Sequence, residues 1–395
     1  MMRWVILAAC VTSRSGIGLQ FIALAALMPQ VRHDLHFNYT EVGWLLGLFM
    51  VVGVFLSVPA GMIAQRLGDR ATLFLGLAAL LAAATAAAWA GGFASMLASR
   101  VLGGLGAVLT TVTAAKILTD WFGGREISTA MGFLGLSWPI GIALGLSLLP
   151  VLEFAWGWRW AVQATAALPV IAVIVAGLIP MLGRPQSGSP VSEAAPTLWS
   201  ITRPELMAIL AGGIAWLLMS SGGYVVFSSY AADLIAAKGF TRAEAGLALG
   251  ALSWLFMVTI PMGGWMADRW GRGDAQFWAG CLLSALTIAL VPAAAEWRGP
   301  VLIWVLLTAV MGITVGPIMA LPSQILRPAG RATGLGVFYA VYYGGTVVLP
   351  AAAGWLLDRT GSAAWVVWFA AGCLVAAPLF LMACRALQRR WGLGS

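Results

Sequence analysis

Apolar runs of about 20 residues recur along the whole chain, separated by short charged or Gly/Pro-containing turns. Wound as a helix, a run of this length crosses the hydrocarbon core of a bilayer, whereas barrel strands would be alternating segments of ~10 residues. No water reaches that core, so each backbone N–H and C=O must be bonded within the segment, which a helix does. Twelve helices are expected, over residues 4–28, 41–65, 72–91, 95–117, 129–152, 160–182, 204–230, 243–266, 276–295, 300–322, 333–356 and 363–385. With 61% hydrophobic and 9% charged residues the chain lies far from the roughly one-quarter charged composition of soluble domains. It reads as an all-α integral membrane protein.

The Lys and Arg residues then orient it. Turns on the side of the two termini carry Arg3, Arg66, Arg70, Lys116, Arg125, Arg184, Arg203, Arg269, Arg272, Arg327, Arg331, Arg385, Arg389 and Arg390. Opposite turns carry Arg32, Arg159, Lys238, Arg242, Arg298 and Arg359, a ratio of 14 to 6 that places both termini in the cytoplasm. The net charge of +8 is therefore spread as a topology signal, and no basic domain suited to nucleic acid is present. The first run follows a lone Arg3 and lacks a small-residue cleavage site, so it is expected to be a retained helix.

The stretch PMGGWMADRWGR at 261–272 has an altered copy, PAGMIAQRLGDR, at 59–70. Pairing Gly61 with Gly264 gives an offset of 264 − 61 = 203, which also pairs Glu41 with Glu244, Gly43 with Gly246 and Gly47 with Gly250. The chain thus reads as two six-helix halves, 1–183 and 204–395, joined by a Pro/Ser-rich cytoplasmic linker at 184–203. Helix 2 matches helix 8 in the same direction, so the repeats are parallel, and a substrate site between the halves is expected.

Those residues resemble the major facilitator superfamily of transporters. The carriers of the resemblance are GWMADRWGR at 264–272 between helices 8 and 9, RVLGGLG at 100–106 on helix 4, and the series Gly132, Gly135, Pro139, Gly141 and Gly145 on helix 5. The helix count, repeat and central linker extend it over the whole chain. The resemblance implies that the acid of the helix 2 turn latches the halves by meeting the positive end of a helix in the other half. Here Gln65 stands at that position while its counterpart is Asp268, with an acid displaced to Asp69. Either the first latch is weakened or Asp69 substitutes. Gln65, Arg66, Asp69, Arg70, Asp268, Arg269 and Arg272 are the gating candidates.

Arg14 is the sharpest feature of the remaining chain, lying mid-helix in the run TSRSG at 12–16, with Gln20 beyond it as a second candidate substrate-binding residue. A charge at the bilayer centre costs roughly 2.5–3.5 kcal/mol on insertion scales, so it is retained for function or for bonding a neighbouring helix. The resemblance favours function, since helix 1 of each half lines the cavity. Arg100 on helix 4 is either a coupling residue, as the resemblance implies, or an interfacial arginine reaching for the membrane edge. Trp138, Tyr224, Tyr339 and Tyr343 are candidates to shape the site, with packing or interfacial roles as the alternative; Tyr339 and Tyr343 share a helical face. The glycine pairs Gly222–Gly223 and Gly344–Gly345 are places where helices 7 and 11 can break.

No carboxylate lies deep in a span, which disfavours a carrier of cationic drugs, because such carriers typically need a buried acid. A lone central guanidinium favours an anion. The expected function is a secondary transporter of a small organic or inorganic anion in a bacterial inner membrane, working by alternating access as a monomer, with a proton or exchanged anion as coupling partner. Within the superfamily the chain somewhat resembles the cyanate and nitroimidazole or related organic-anion transporters. The alternative is an exporter of neutral or weakly acidic hydrophobic compounds; a non-transporting receptor is the remote one. No Walker loop, zinc cluster or HExxH helix occurs, so no cofactor, metal or enzymatic activity is expected. His33 and His36 flank Asp34 in a short turn and read as solvated. Asn38-Tyr-Thr40 is a formal glycosylation sequon. The aromatic turn 153–160 reads as interface anchoring, and Cys10, Cys281, Cys373 and Cys384 as packing residues.

Overall fold

A computed structural model of the chain describes residues 2–37, 39–123, 126–178, 201–237, 239–293 and 298–393. Among them, 12 spans are long and apolar enough to cross a membrane: α1 (Met2–Ala26), α2 (Trp44–Leu67), α3 (Asp69–Ala88), α4 (Phe93–Phe122), α5 (Ile127–Trp156), α6 (Trp158–Gly177), α7 (Arg203–Ala231), α8 (Leu247–Trp270), α9 (Gly273–Pro292), α10 (Val301–Ile325), α11 (Pro328–Thr360) and α12 (Ala363–Trp391). No strand occurs among the described residues. The all-helical reading therefore holds. The expected ends differ from the observed ones in both directions, by as much as 391 − 385 = 6 residues at α12, where hydropathy stops at the polar edge while backbone hydrogen bonding continues through Arg385, Arg389 and Arg390.

Two compact units result: Met1–Gly123 with Leu136–Ile201 and Pro328–Ala340, and Gly124–Gly135 with Thr202–Arg327 and Val341–Ser395. Both α5 and α11 are divided between them. The glycine series on α5 explains its division in packing terms. Gly132 and Gly135 lie against Ile260 and Val315 in the second unit, while Gly141 and Gly145 lie against Ser15 and Ile22 in the first. A methyl on Gly141 would overlap the Ser15 carbonyl, so only glycine lets α1 and α5 approach this closely.

Helix 7 does not break at its glycines. It widens into a π-helix over Leu218–Val225 and continues, a distortion that often marks functional positions. Helix 11 is continuous through Gly344 and Gly345. In α10 a 3-10 stretch, Thr308–Thr314, replaces a regular turn, and α6 is interrupted by turn residues at Thr165 and Ala166.

The expected linker lies outside the described residues except at 201–203, as do Arg125, Lys238 and the sequon residue Asn38. At the start of α7, Thr202 accepts from the Glu205 amide while Glu205 accepts from the Thr202 amide, a reciprocal cap. All four cysteines are free and buried, consistent with packing roles.

Candidate functional site

In the first unit Arg14 is 5% exposed and donates from Nη1 to the Ser137 hydroxyl of α5 at 3.3 Å. The α1–α5 approach at Gly18 and Gly141 is what brings these side chains within reach. Ser13, one residue back, donates its hydroxyl to its own helix at Ala9 O, 2.7 Å away. The Trp138 ring lies 5.1 Å from Phe21. Arg14 and Trp138 are thus both on the α1–α5 seam. Gln20 turns elsewhere, donating from Nε2 to the Leu80 carbonyl of α3 at 3.0 Å.

Arg100 does not reach for a membrane edge. It is 7% exposed, and its guanidinium ties three helices. Nε donates to Leu45 O of α2 at 3.0 Å, Nη1 to Gln20 O of α1 at 3.1 Å and Nη2 to Phe21 O at 3.3 Å. The face of Phe49 lies 4.6 Å from its central carbon.

In the second unit Tyr224, on the π-helix, meets Phe256 edge to face at 5.0 Å. Trp216 stacks on Tyr342 at 4.1 Å and 12°, and Tyr343 packs beside Tyr342 at 5.4 Å. Trp216 had no distinguishing sequence signal, since the chain holds 20 tryptophans. Tyr339 and Tyr343 share a helix face in sequence yet belong to different units; Tyr339 is buried beside Phe338 in the first.

The two related turns are built differently. Asp268 accepts the amides of Ser128 and Thr129, at 3.1 and 2.7 Å, and the Thr129 hydroxyl at 2.6 Å. These amides open α5, so the carboxylate sits at a helix N-terminus, where backbone donors and the dipole favour negative charge. Gln65 instead donates from Nε2 to Ala329 O at 2.9 Å. Asp69 pairs with Lys116 at 2.7 Å, Lys116 with Asp120 at 3.1 Å, and Asp120 with Arg331 of α11 at 2.6 Å. Arg70 donates to Gly177 O at 3.3 Å, while Arg66, Arg269 and Arg272 are exposed. Sequence reading missed Lys116, Asp120 and Arg331 as a group; the i,i+4 spacing of the first two was its only local sign. It also missed buried Glu205, which accepts from Arg327 Nε at 3.0 Å and whose hydrogen bonding, then charge, raise the Arg327 pKa.

At the other end of α1, Asp34 accepts from Trp158 Nε1 at 2.8 Å and contacts His33 at 3.2 Å. Hydrogen bonds from His33 and Trp158 hold its carboxyl below the usual range. Trp158 is accordingly buried and not an interface anchor, unlike exposed Phe154, Trp156 and Trp160. His33 and His36 are exposed, and among the described residues no metal-ligand cluster forms.

Among the described residues, twelve helices long and apolar enough to span a bilayer, with π and 3-10 stretches in α7 and α10, define a multi-pass membrane protein. The sequence model of the Major Facilitator Superfamily matches residues 10–234 and 215–390, and the chain belongs to that superfamily. A putative tartrate transporter of Agrobacterium vitis is 25% identical over 379 residues, 90% of this chain and 86% of that protein. A probable L-galactonate transporter of Escherichia coli strain K12 is 27% identical over 129 residues, 33% of this chain and 28% of that protein. The solved structure of a human organic anion transporter superposes with a TM-score of 0.78 at 16% identity, covering 96% of this chain and 99% of that one, a likeness of fold.

Proposed function

We propose that the chain is a secondary transporter of the bacterial inner membrane that moves a small organic acid anion by alternating access, with Arg14 as the anion-binding residue. The observation that carries this reading is a guanidinium 5% exposed in the middle of α1, bonded to the neutral hydroxyl of Ser137. A planar guanidinium matches a carboxylate through two parallel hydrogen bonds, and in low dielectric that pairing is strong. Relatives named as tartrate and galactonate transporters support a carboxylate cargo.

Trp138 shapes the site beside Arg14, while Gln20 fixes α1 against α3. Tyr224, Tyr339 and Tyr343 line the path of the cargo. Arg100 holds α1, α2 and α4 in register during the cycle; Gln65, Arg66, Asp69, Arg70, Asp268, Arg269 and Arg272 form the gating turns. The Lys/Arg excess supports cytoplasmic termini, with residues 184–203 linking the halves 1–183 and 204–395. Flux is coupled to a proton or an exchanged anion, and the monomer is the working unit.

Arg14→Ala is expected to weaken tartrate or galactonate binding at least tenfold in calorimetry, with the thermal transition retained. Unchanged affinity would overturn the role of Arg14. A second reading, an exporter of hydrophobic compounds, draws on the stacked Trp216–Tyr342 pair. It predicts that proteoliposomes of the same variant still move uncharged aromatic solutes.

A further inference from the structure

Arg100 carries a full charge inside the span α4, and all three of its hydrogen bonds go to main-chain carbonyls. Carbonyl dipoles solvate a cation without neutralising it, and burying a net charge costs several kcal/mol even after relaxation. Among the described residues no carboxylate pairs with it. A guanidinium offers five N–H donors, so two remain beyond the three committed to Leu45, Gln20 and Phe21.

Beside it lies a cavity of about 30 Å³, lined by Arg100, Gln20, Ser99 and Thr165 among otherwise apolar walls such as Phe49 and Ala84. That volume holds one or two water-sized bodies and excludes an organic acid. The hydroxyls of Ser99 and Thr165 donate to Met96 O and Val162 O, at 2.6 and 2.7 Å, and rotation about Cβ would turn either one inward. An uncompensated cation, spare donors, apolar walls that lower the local dielectric and space for one small body together specify an anion.

We propose that a monovalent inorganic anion of chloride size binds in this cavity of the first unit and neutralises Arg100. The site is separate from Arg14. Because Arg100 holds the carbonyls of Gln20 and Phe21, occupancy also steadies the α1 segment beyond Arg14.

The test uses the purified full chain in chloride, bromide or gluconate at equal ionic strength. Expected is a melting midpoint several degrees higher in either halide, rising with the logarithm of halide concentration. Ala84→Leu, which fills the cavity and leaves the Arg100 clamp in place, removes the difference, and Arg14→Ala keeps it. Crystals grown in bromide show an anomalous peak within about 3.5 Å of an Arg100 nitrogen. Equal midpoints in halide and gluconate with no bromide peak at Arg100 would mean water alone and overturn the proposal. So would a halide response that persists in Ala84→Leu with the peak elsewhere. If Ala84→Leu fails to fold, the wild-type halide comparison and the bromide peak decide.

Discussion

The turn after α2 and the turn after α8 carry similar stretches, PAGMIAQRLGDR and PMGGWMADRWGR, yet they fasten their neighbours with opposite chemistry. Asp268 is an acceptor, drawing two amides and a hydroxyl from the start of α5. Gln65 is a donor to a carbonyl just before the regular part of α11. The negative charge missing at Gln65 reappears four residues on at Asp69, and it reaches α11 through Lys116 and Asp120 to Arg331. One copy thus grips a helix start directly by its backbone, the other through alternating side-chain charges. A direct grip depends on one geometry, whereas a relay depends on every member being present.

Cutting the relay at its centre is the strongest way to break this contrast. Lys116→Met leaves Asp69 and Asp120 without their shared cation, and a loss of ~3–5 kcal/mol is expected in denaturant unfolding in detergent, as for a broken buried ion pair. If the loss stays within ~1 kcal/mol, the relay is not what holds α11. Asp268→Asn removes the charge and leaves one acceptor oxygen, setting its NH2 against one of the Ser128 and Thr129 amides; ~1.5–3 kcal/mol should be lost, read the same way. Gln65→Leu should cost only ~1 kcal/mol, the worth of one neutral hydrogen bond. A Gln65→Asp variant that proved more stable than the natural chain would overturn the donor role, since its carboxylate would face the Ala329 carbonyl.

The smallest effect is expected at the far end of α1. The Asp34 carboxyl is lowered, so its contribution is present above the unfolded value of about 4 and is lost as pH falls through the lower folded value. Thermal midpoints of the natural chain and Asp34→Asn should therefore differ at neutral pH and converge well below pH ~4. A constant difference across that range would show that the Trp158 contact, and not the charge, carries the effect.

How far the site was legible depended on the range of each signal. Arg14 stood out because a charge in an apolar run is costly wherever the helix packs. Ser137 was legible only as part of the polar run Ser137-Trp138-Pro139; that it meets Arg14 depends on the Gly18–Gly141 approach. For Arg100 the sequence left coupling and edge-seeking roles open; the hydrogen bonds to the carbonyls of Leu45, Gln20 and Phe21, a tie between helices, appear only in the structure. Gln20 was a substrate-ligand candidate by proximity to Arg14; which way its amide turns, here onto the Leu80 carbonyl, is not legible in the sequence. The Gly222–Gly223 pair signalled irregularity in α7 correctly, though as a widened turn and not a break.

By itself the sequence determined that the chain is a bundle of spanning helices, because hydropathy and segment length are local properties that a bilayer reads one segment at a time. It also carried the repeat and the asymmetry between Gln65 and Asp268, which are identities at fixed spacing. Only the tertiary structure decided that α5 and α11 divide between two compact units, that Asp69 acts through Lys116 and Asp120, and that Arg100 sits over a small cavity. Those outcomes turn on how each helix is rotated and tilted against its neighbours. That is fixed by close packing at glycines and by the satisfaction of buried polar groups, which no single segment contains.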